Sequence, residues 1–357
     1  MLRRFRHKQG CIHFSRPLRV ALGVRSLCLL VYPFAAIQTA RPHFGTSNAS
    51  GRAEAFMRVL IAYDGSAHAE TAIDDLRLAG LPRQTEAMVV SVAHHGFPET
   101  KHANAEAGDF GNSWKATMQE AAALAENGRI RVQSIFPGWS VSSEPLWGDP
   151  AKMLLKTIDV WKPDLVVVGS HGRSVPARLL LGSVSTELVH HAPCSVRVVR
   201  GPAKGEGPIR VLIATDGSEQ AEACVDAVAR RSWPDGTQAR VLAVTQSLVP
   251  TVLERQTFAT EPAYRIVEEF DEREKARIRW TADTDKERLQ QAGLSADTVV
   301  IDGDPRREIN AEAERWHADS VFVGARGLGA LDRLLLGSVS GAVVNHAHCA
   351  VEIVRHQ

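Results

Sequence analysis

The sequence predicts an α/β protein made of two tandem, doubly wound, mostly parallel sheets. Three observations carry that expectation. RVLIAYDGS at 58–66 returns at 210–218 as RVLIATDGS with eight of nine positions identical, and RLLLGSVS at 178–185 returns unchanged at 333–340. Within each copy, short apolar runs rich in β-branched residues alternate with stretches of helical period. A Gly-x-x-Gly turn follows one of those runs at the same place in both copies. Strands that are apolar on both faces and alternate with helices imply a parallel sheet covered on both sides. Two copies are too few for a solenoid, and at about 145 residues each is domain-sized.

The first 56 residues stand apart, with nine Lys or Arg against one acid, Glu54. Their longest uncharged run, Ser26 to Ala40, is 15 residues interrupted by Pro33, short of the ~20 that a spanning helix needs. A signal peptide, a transit peptide and an upstream extension outside the working fold are the three readings. The third is favoured because Met57 leads directly into the first apolar run. The expected organisation is a basic extension over 1–56, a first domain over 57–200, a linker of turn-formers over 201–208 and a second domain over 209–357.

Removing the basic tail leaves 33 basic and 40 acidic residues in a body at −7. Such a body is a poor partner for polyanions, so nucleic acid is not expected to bind, and no membrane partner is expected either. The five cysteines contain no C-x-x-C pair, which gives neither a disulfide framework nor a zinc site. A reducing, cytoplasmic setting is the expectation.

In the first copy, buried strands are expected at Val59–Ala62, Met88–Val92, Ile130–Ile135, Leu165–Val168 and Val196–Val199, each a short run with β-branched residues. Trp114, Met118, Ala121 and Ala125 recur at helical spacing, as do Leu154, Ile158 and Trp161, and in the second copy Ile309, Ala313 and Trp316. Asp149-Pro150 and Asp304-Pro305 place a capping acid ahead of a proline suited to the first helical position. The copies diverge in the middle: 94–112 reads as a loop, whereas 262–292 reads as one long charged helix with Ile266, Phe270, Ile278, Ala282 and Leu289 on its inner stripe.

The chemistry lies in a set of glycines. Gly169-Ser-His-Gly172 follows a strand, and nine residues later Gly182-Ser183 opens a helical pattern; Gly324-Ala-Arg-Gly327 and Gly337-Ser338 repeat that spacing. Glycine lets backbone N–H groups approach a ligand without interference from Cβ. A Gly-Ser helix start adds free N–H donors and the positive end of the dipole, which together hold phosphate. Asp64-Gly-Ser66 and Asp216-Gly-Ser218 sit at the carboxyl end of the first strand, where a carboxylate can accept from ribose hydroxyls, although a turn plus helix cap explains each one alone. If first and fourth strands are neighbours, these groups converge at a switch-point crevice. Arg178 and Arg333, before each Gly-Ser, are equally readable as phosphate contacts or surface charges. His346, His348 and Cys349 invite a metal, but the matching His191, Pro193 and Cys194 do not, so no metal site is expected.

Strand-Asp-Gly-Ser, Gly-x-x-Gly, nine residues, Gly-Ser-Val-Ser and a closing His-Ala-Pro-Cys-x-Val strand together resemble the universal stress protein (UspA-like) family in its tandem form, over 57–200 and 209–355. The resemblance implies an adenine nucleotide alpha hydrolase-like fold, five parallel strands in order 3-2-1-4-5, with domains paired along their fifth strands as an internal pseudo-dimer that leaves further homodimer formation open. The complete glycine set marks the family's ATP-binding branch, so the resemblance implies two ATP sites, with Mg as a companion ion. Carried over by position, Ala62 and Asp64 face base and ribose, Val92 lines adenine, Gly169, His171 and Gly172 border the sugar-phosphate, and Gly182, Ser183, Val184 and Ser185 hold phosphates. Ala214, Asp216, Val244, Gly324, Arg326, Gly327, Gly337, Ser338, Val339 and Ser340 do the same in the second copy. His171 stands where the second copy has Arg326, so the first site is expected to hold triphosphate less tightly.

The sequence lacks a P-loop lysine motif, a Gly-x-Gly-x-x-Gly after the first strand and any identifiable catalytic base or arginine finger. It therefore reads as a nucleotide-binding stress regulator acting through an unknown protein partner, not as an enzyme. The rivals are a scaffold of the same family without nucleotide and a slow ATPase.

Overall fold

The chain's structure is a computed structural model that describes residues 56–94, 107–172, 181–201, 207–246, 261–327 and 336–355. The basic extension, the Arg178 and Arg333 segments and most of the linker lie outside the described residues. The first copy runs β1 (Phe56–Ala62), α1 (Ala67–Asp75), a 3-10 turn (Leu76–Leu78), β2 (Gln84–Ala93), α2 (Ala107–Ile135), β3 (Ser140–Trp147), α3 (Pro150–Trp161), β4 (Leu165–Gly169), α4 (Ser183–His191) and β5 (Ser195–Val199). The second runs β6 (Arg210–Thr215), α5 (Glu219–Ala229), β7 (Gln238–Thr245), α6 (Glu261–Gln291), β8 (Ser295–Asp302), α7 (Pro305–Arg315), β9 (Ser320–Gly324), α8 (Ser338–His346) and β10 (Ala350–Val354).

Each half has the strand order 3-2-1-4-5, and the halves join into one ten-stranded sheet, β3-β2-β1-β4-β5-β10-β9-β6-β7-β8. The β5–β10 seam is antiparallel, with Glu352 opposite Arg197, while the pairings inside each half are parallel. Central strands are where the apolar runs were plainest: Val59, Leu60, Ile61, Val211, Leu212 and Ile213 are fully buried. Both Asp-Pro helix starts form as expected. Asp149 accepts from the Lys152 N–H and Asp304 from the Arg306 N–H, with proline in the first turn of each helix.

Three expectations are corrected. Ile130–Ile135 is not the third strand but the end of α2, with Ile130 exposed and Val132 buried on the helix's inner face. The third strand is Ser140–Trp147, an edge strand of mostly half-exposed residues, so it shows no continuous apolar run. The loop expected over 94–112 is already helical from Ala107, its stretch 95–106 lying outside the described residues. On α6 the inner stripe holds only in the second half: Ala282 and Leu289 are buried, whereas Ile266 and Phe270 are 69% and 57% exposed.

The seam is pinned by buried charge. Arg197, with no exposed surface, donates from Nε to Asp75 at 2.7 Å and from Nη1 to Glu352 at 3.5 Å. Arg231, just past α5, bonds both Glu352 oxygens, donates to the Ala79 carbonyl at 2.8 Å and lies over the Phe322 ring. Burial pushes the Asp75 carboxyl above the usual carboxylate value, although Arg197 pulls it back. For Arg197 burial works downward, but Asp75 and Glu352 outweigh it and raise the guanidinium. Gly80 completes the contact: at φ +60°, a Cβ there would sit 2.5 Å from the Trp233 indole, which packs across from the second half.

The described cysteines are structural. Burial pushes the Cys194 and Cys349 thiols up to about 12 and the Cys224 thiol well above its ordinary value. All three are expected to resist alkylation at neutral pH in the native chain and to react after denaturation, a difference read by mass spectrometry. Rapid native labelling of Cys194 would contradict this.

Candidate functional site

β1 and β4 are neighbours whose connections leave in opposite directions, and so are β6 and β9. A crevice opens at the carboxyl ends of such a pair. In the second copy it is a cavity of about 450 Å³. The structure brings all ten residues singled out in that copy to its wall: Ala214, Asp216, Val244, Gly324, Arg326, Gly327, Gly337, Ser338, Val339 and Ser340.

The Asp-Gly-Ser turns do local work first. Asp216 Oδ1 accepts the Ser218 N–H at 3.0 Å, and Ser218 Oγ accepts the Ala221 N–H at 3.2 Å to cap α5. Asp64 and Ser66 repeat this at 2.9 Å and 3.2 Å. The second carboxylate oxygen is turned toward the glycine turn. A Cβ added to Gly172 would lie 2.8 Å from Asp64 Oδ2, and one on Gly327 would press closer still on Asp216 Oδ2. A side chain at either glycine would displace the carboxylate, so the turn and the acid share one small cradle in each copy.

The helix start is locked onto the strand end. The Gly337 N–H donates to the Ala325 carbonyl at 2.8 Å, and Ser340 Oγ donates to the Gly324 carbonyl at 2.6 Å. Gly182 to Ser170 and Ser185 to Gly169 match them at 2.8 Å and 2.7 Å. The Ser185 and Ser340 hydroxyls are thus engaged with the fold, and their backbone N–H groups are what they offer a ligand. Gly182 and Gly337 cap α4 and α8 without a side-chain bond. First-turn N–H groups have no acceptor within their own helix, so each start is a donor cluster at the positive end of a dipole.

Sequence reasoning missed several wall residues. Thr215, Ala221, Leu242, Pro305, Ile309 and Val323 also line the second cavity. Pro305 and Ile309 come from the first turns of α7, a helix start visible in sequence whose placement is a matter of packing. Arg277 of α6, ion-paired with Glu274, lies beside the Asp216-Gly-Ser218 turn, its Nη1 3.3 Å from where a Gly217 Cβ would stand. Behind the wall, Thr215 Oγ1 donates to Asp285 at 2.9 Å. Burial pushes that carboxyl up, with Thr215 and Arg288 pulling the other way.

In the first copy, Ala62 closes β1, Asp64 sits in the next turn, Val92 lies near the end of β2 and Gly169 closes β4, followed by His171 and Gly172. Gly182, Ser183, Val184 and Ser185 form the start of α4. His171 has a neighbour that sequence reasoning passed over, His68 on α1, with ring centroids 5.2 Å apart. The two cradles therefore share a backbone plan and differ in side-chain charge.

Among the described residues no group of three or more His, Cys, Asp or Glu is placed to hold a metal ion, and no helix is long and apolar enough to cross a membrane.

A sequence model of the universal stress protein family matches residues 55–200 and again 209–355. Universal stress protein YxiE of Bacillus subtilis is 29% identical over 146 residues, which span 41% of this chain and 98% of that protein. Universal stress protein Mb2028c of Mycobacterium bovis is 30% identical over 233 residues, 60% of this chain and 69% of that protein. The crystal structure of a universal stress protein from Archaeoglobus fulgidus superposes with a TM-score of 0.55 at 18% identity, over 84% of this chain and 98% of that one, a likeness of fold.

Proposed function

Because this chain belongs to the universal stress protein family, which its two halves match in turn, we propose that it binds an adenine nucleotide, ATP, at each of two sites and acts as a nucleotide-responsive regulator. The observation that carries this reading is the convergence of ten residues on one cavity of about 450 Å³, a volume ordinary for a small-molecule site. The cradle fits the group. Ala214 and Val244 offer apolar wall to a base, Asp216 an acceptor for ribose hydroxyls, and the glycine turn with the uncapped start of α8 a set of N–H donors for phosphates. Arg326 adds fixed positive charge. Ala62, Val92, Asp64, Gly169, Gly172 and the first turn of α4 do the same in the first copy. Mg²⁺ accompanies the polyphosphate and lowers the charge that the cradle must meet.

Regulation is favoured over turnover by the lining. Asp216 is the one carboxylate among the described residues of the cavity wall, and one of its oxygens already accepts the Ser218 N–H. A cytoplasmic setting and a protein partner that reads the bound state belong to the same proposal. A scaffold role is the second reading, supported by a seam that the Arg197 cluster holds without help from a ligand.

Thermal unfolding separates the two readings. Saturating Mg-ATP is expected to raise the midpoint by several degrees, since ligand at about a hundred times Kd adds about 2.7 kcal/mol, and Mg-GTP is expected to do less. Equal midpoints with and without nucleotide would favour the scaffold.

A further inference from the structure

The first site carries a pair of imidazoles that the second lacks. His68 stands in the first turn of α1, its ring inclined 55° to that of His171 at a centroid distance of 5.2 Å. His171 Nδ1 lies 3.0 Å from Ser170 Oγ, and the His68 backbone abuts Gly169, where a Cβ would come within 2.8 Å of its carbonyl. Both residues are half-buried. In the second site the corresponding residues are Gln220, packed on Gly324, and Arg326.

We infer that His68 and His171 form a proton-dependent phosphate contact, so that the two sites of one chain respond differently to pH. This rests on the nucleotide reading above and adds a regulation to it. An anion beside two imidazoles favours their protonated forms, so binding there takes up protons. An imidazole gains positive charge in acid and loses it as pH rises, whereas a guanidinium, the group the second site carries in its place, keeps its charge. Among the described charges, Asp64 lies beside Gly172, the residue after His171. β4 and the first turn of α4 contribute none, and Glu70 lies further along α1 itself. Arg131 of α2 and Arg197 of β5, which meet α1, are bonded to Asp74 and Asp75 at its far end. Arg173 and Arg178 lie outside the described residues.

The test is calorimetric titration of the full chain with Mg-ATP at about pH 6 and about pH 8, in buffers of different ionisation enthalpy. Two binding events are expected. One weakens about tenfold or more toward the higher pH with net proton uptake, and the other changes by less than about twofold. His68→Gln combined with His171→Arg gives the first site the residues of the second, and is expected to abolish the pH dependence and the uptake. Two events with one shared pH profile, or a dependence that survives the double substitution, overturn the inference and leave the nucleotide reading standing. Absence of ATP binding at either pH overturns both. The proton count on the unaltered chain decides the matter even if the double variant fails to fold.

Discussion

Asp75→Ala is expected to lower the stability of the folded chain by about 3–5 kcal/mol, the usual cost of stripping one partner from a buried ion pair. Arg197 is wholly enclosed, its Nη2 has no hydrogen-bond partner among the described residues, and its bond to Glu352 is the long one at 3.5 Å. Without Asp75 the guanidinium keeps its charge and loses its best acceptor. The loss concerns the seam, because Asp75 ends α1 of one half while Arg197 faces Glu352 across β5 and β10. Removing both charges together, as Asp75→Leu with Arg197→Met, leaves Glu352 paired with Arg231 and is expected to recover most of the loss, a coupling of about 2 kcal/mol or more. Urea unfolding followed by circular dichroism reads both variants. A penalty below about 1 kcal/mol for Asp75→Ala would mean that the cluster is not what holds the halves.

Ser183→Asp and Ser338→Asp are expected to weaken ATP binding about a hundredfold, each at its own site, without loss of stability. Both serines are exposed first-turn residues behind an uncapped glycine, and Ser338 lines the second cavity. A carboxylate there suits the helix dipole and so favours the fold slightly. It also sets a negative charge where phosphate would sit. At ~5 Å and an effective dielectric of about 20, the repulsion is about 3 kcal/mol, which is about a hundredfold in Kd. The combination matters: a variant that melts no earlier yet no longer binds has lost the ligand contact and not the fold. Unchanged affinity in the double variant would refute the placement of phosphate at the two helix starts.

Much of this arrangement is legible in the residues, for reasons that also mark where legibility ends. β1 and β4 are covered on both faces, so their apolar runs are continuous and their place in each copy is plain. β3 lies at the sheet edge with residues such as Ser142, Ser143 and Glu144, and its signal is weaker than that of Ile130–Ile135 in the neighbouring helix, which has the β-branched content of a strand but buries one face only. The second half of α6 follows its inner stripe because β7 and β8 lie beneath it; Ile266 and Phe270 keep the same period with nothing described to cover them.

The site divides the same way. The glycine turns and helix starts recur at fixed spacing because the backbone must pass close to Asp64 and Asp216, and that need is written in residue type. His68, Arg277 and Ile309 reach the cradles by the packing of α1, α6 and α7, which no local pattern records. For His68 one signal was present: it follows the Asp-Gly-Ser turn at the position that Gln220 holds in the repeat, so a comparison of the two copies would have singled it out.

The most direct test of two adenine-nucleotide sites is the stoichiometry of Mg-ATP binding to the full chain, measured by equilibrium dialysis and combined with identification of any nucleotide released when the purified protein is denatured. Two adenine nucleotides per chain, bound plus released, is the predicted result. A chain that releases none and takes up none at saturating Mg-ATP would contradict the account, and the glycine cradles would then serve the fold alone.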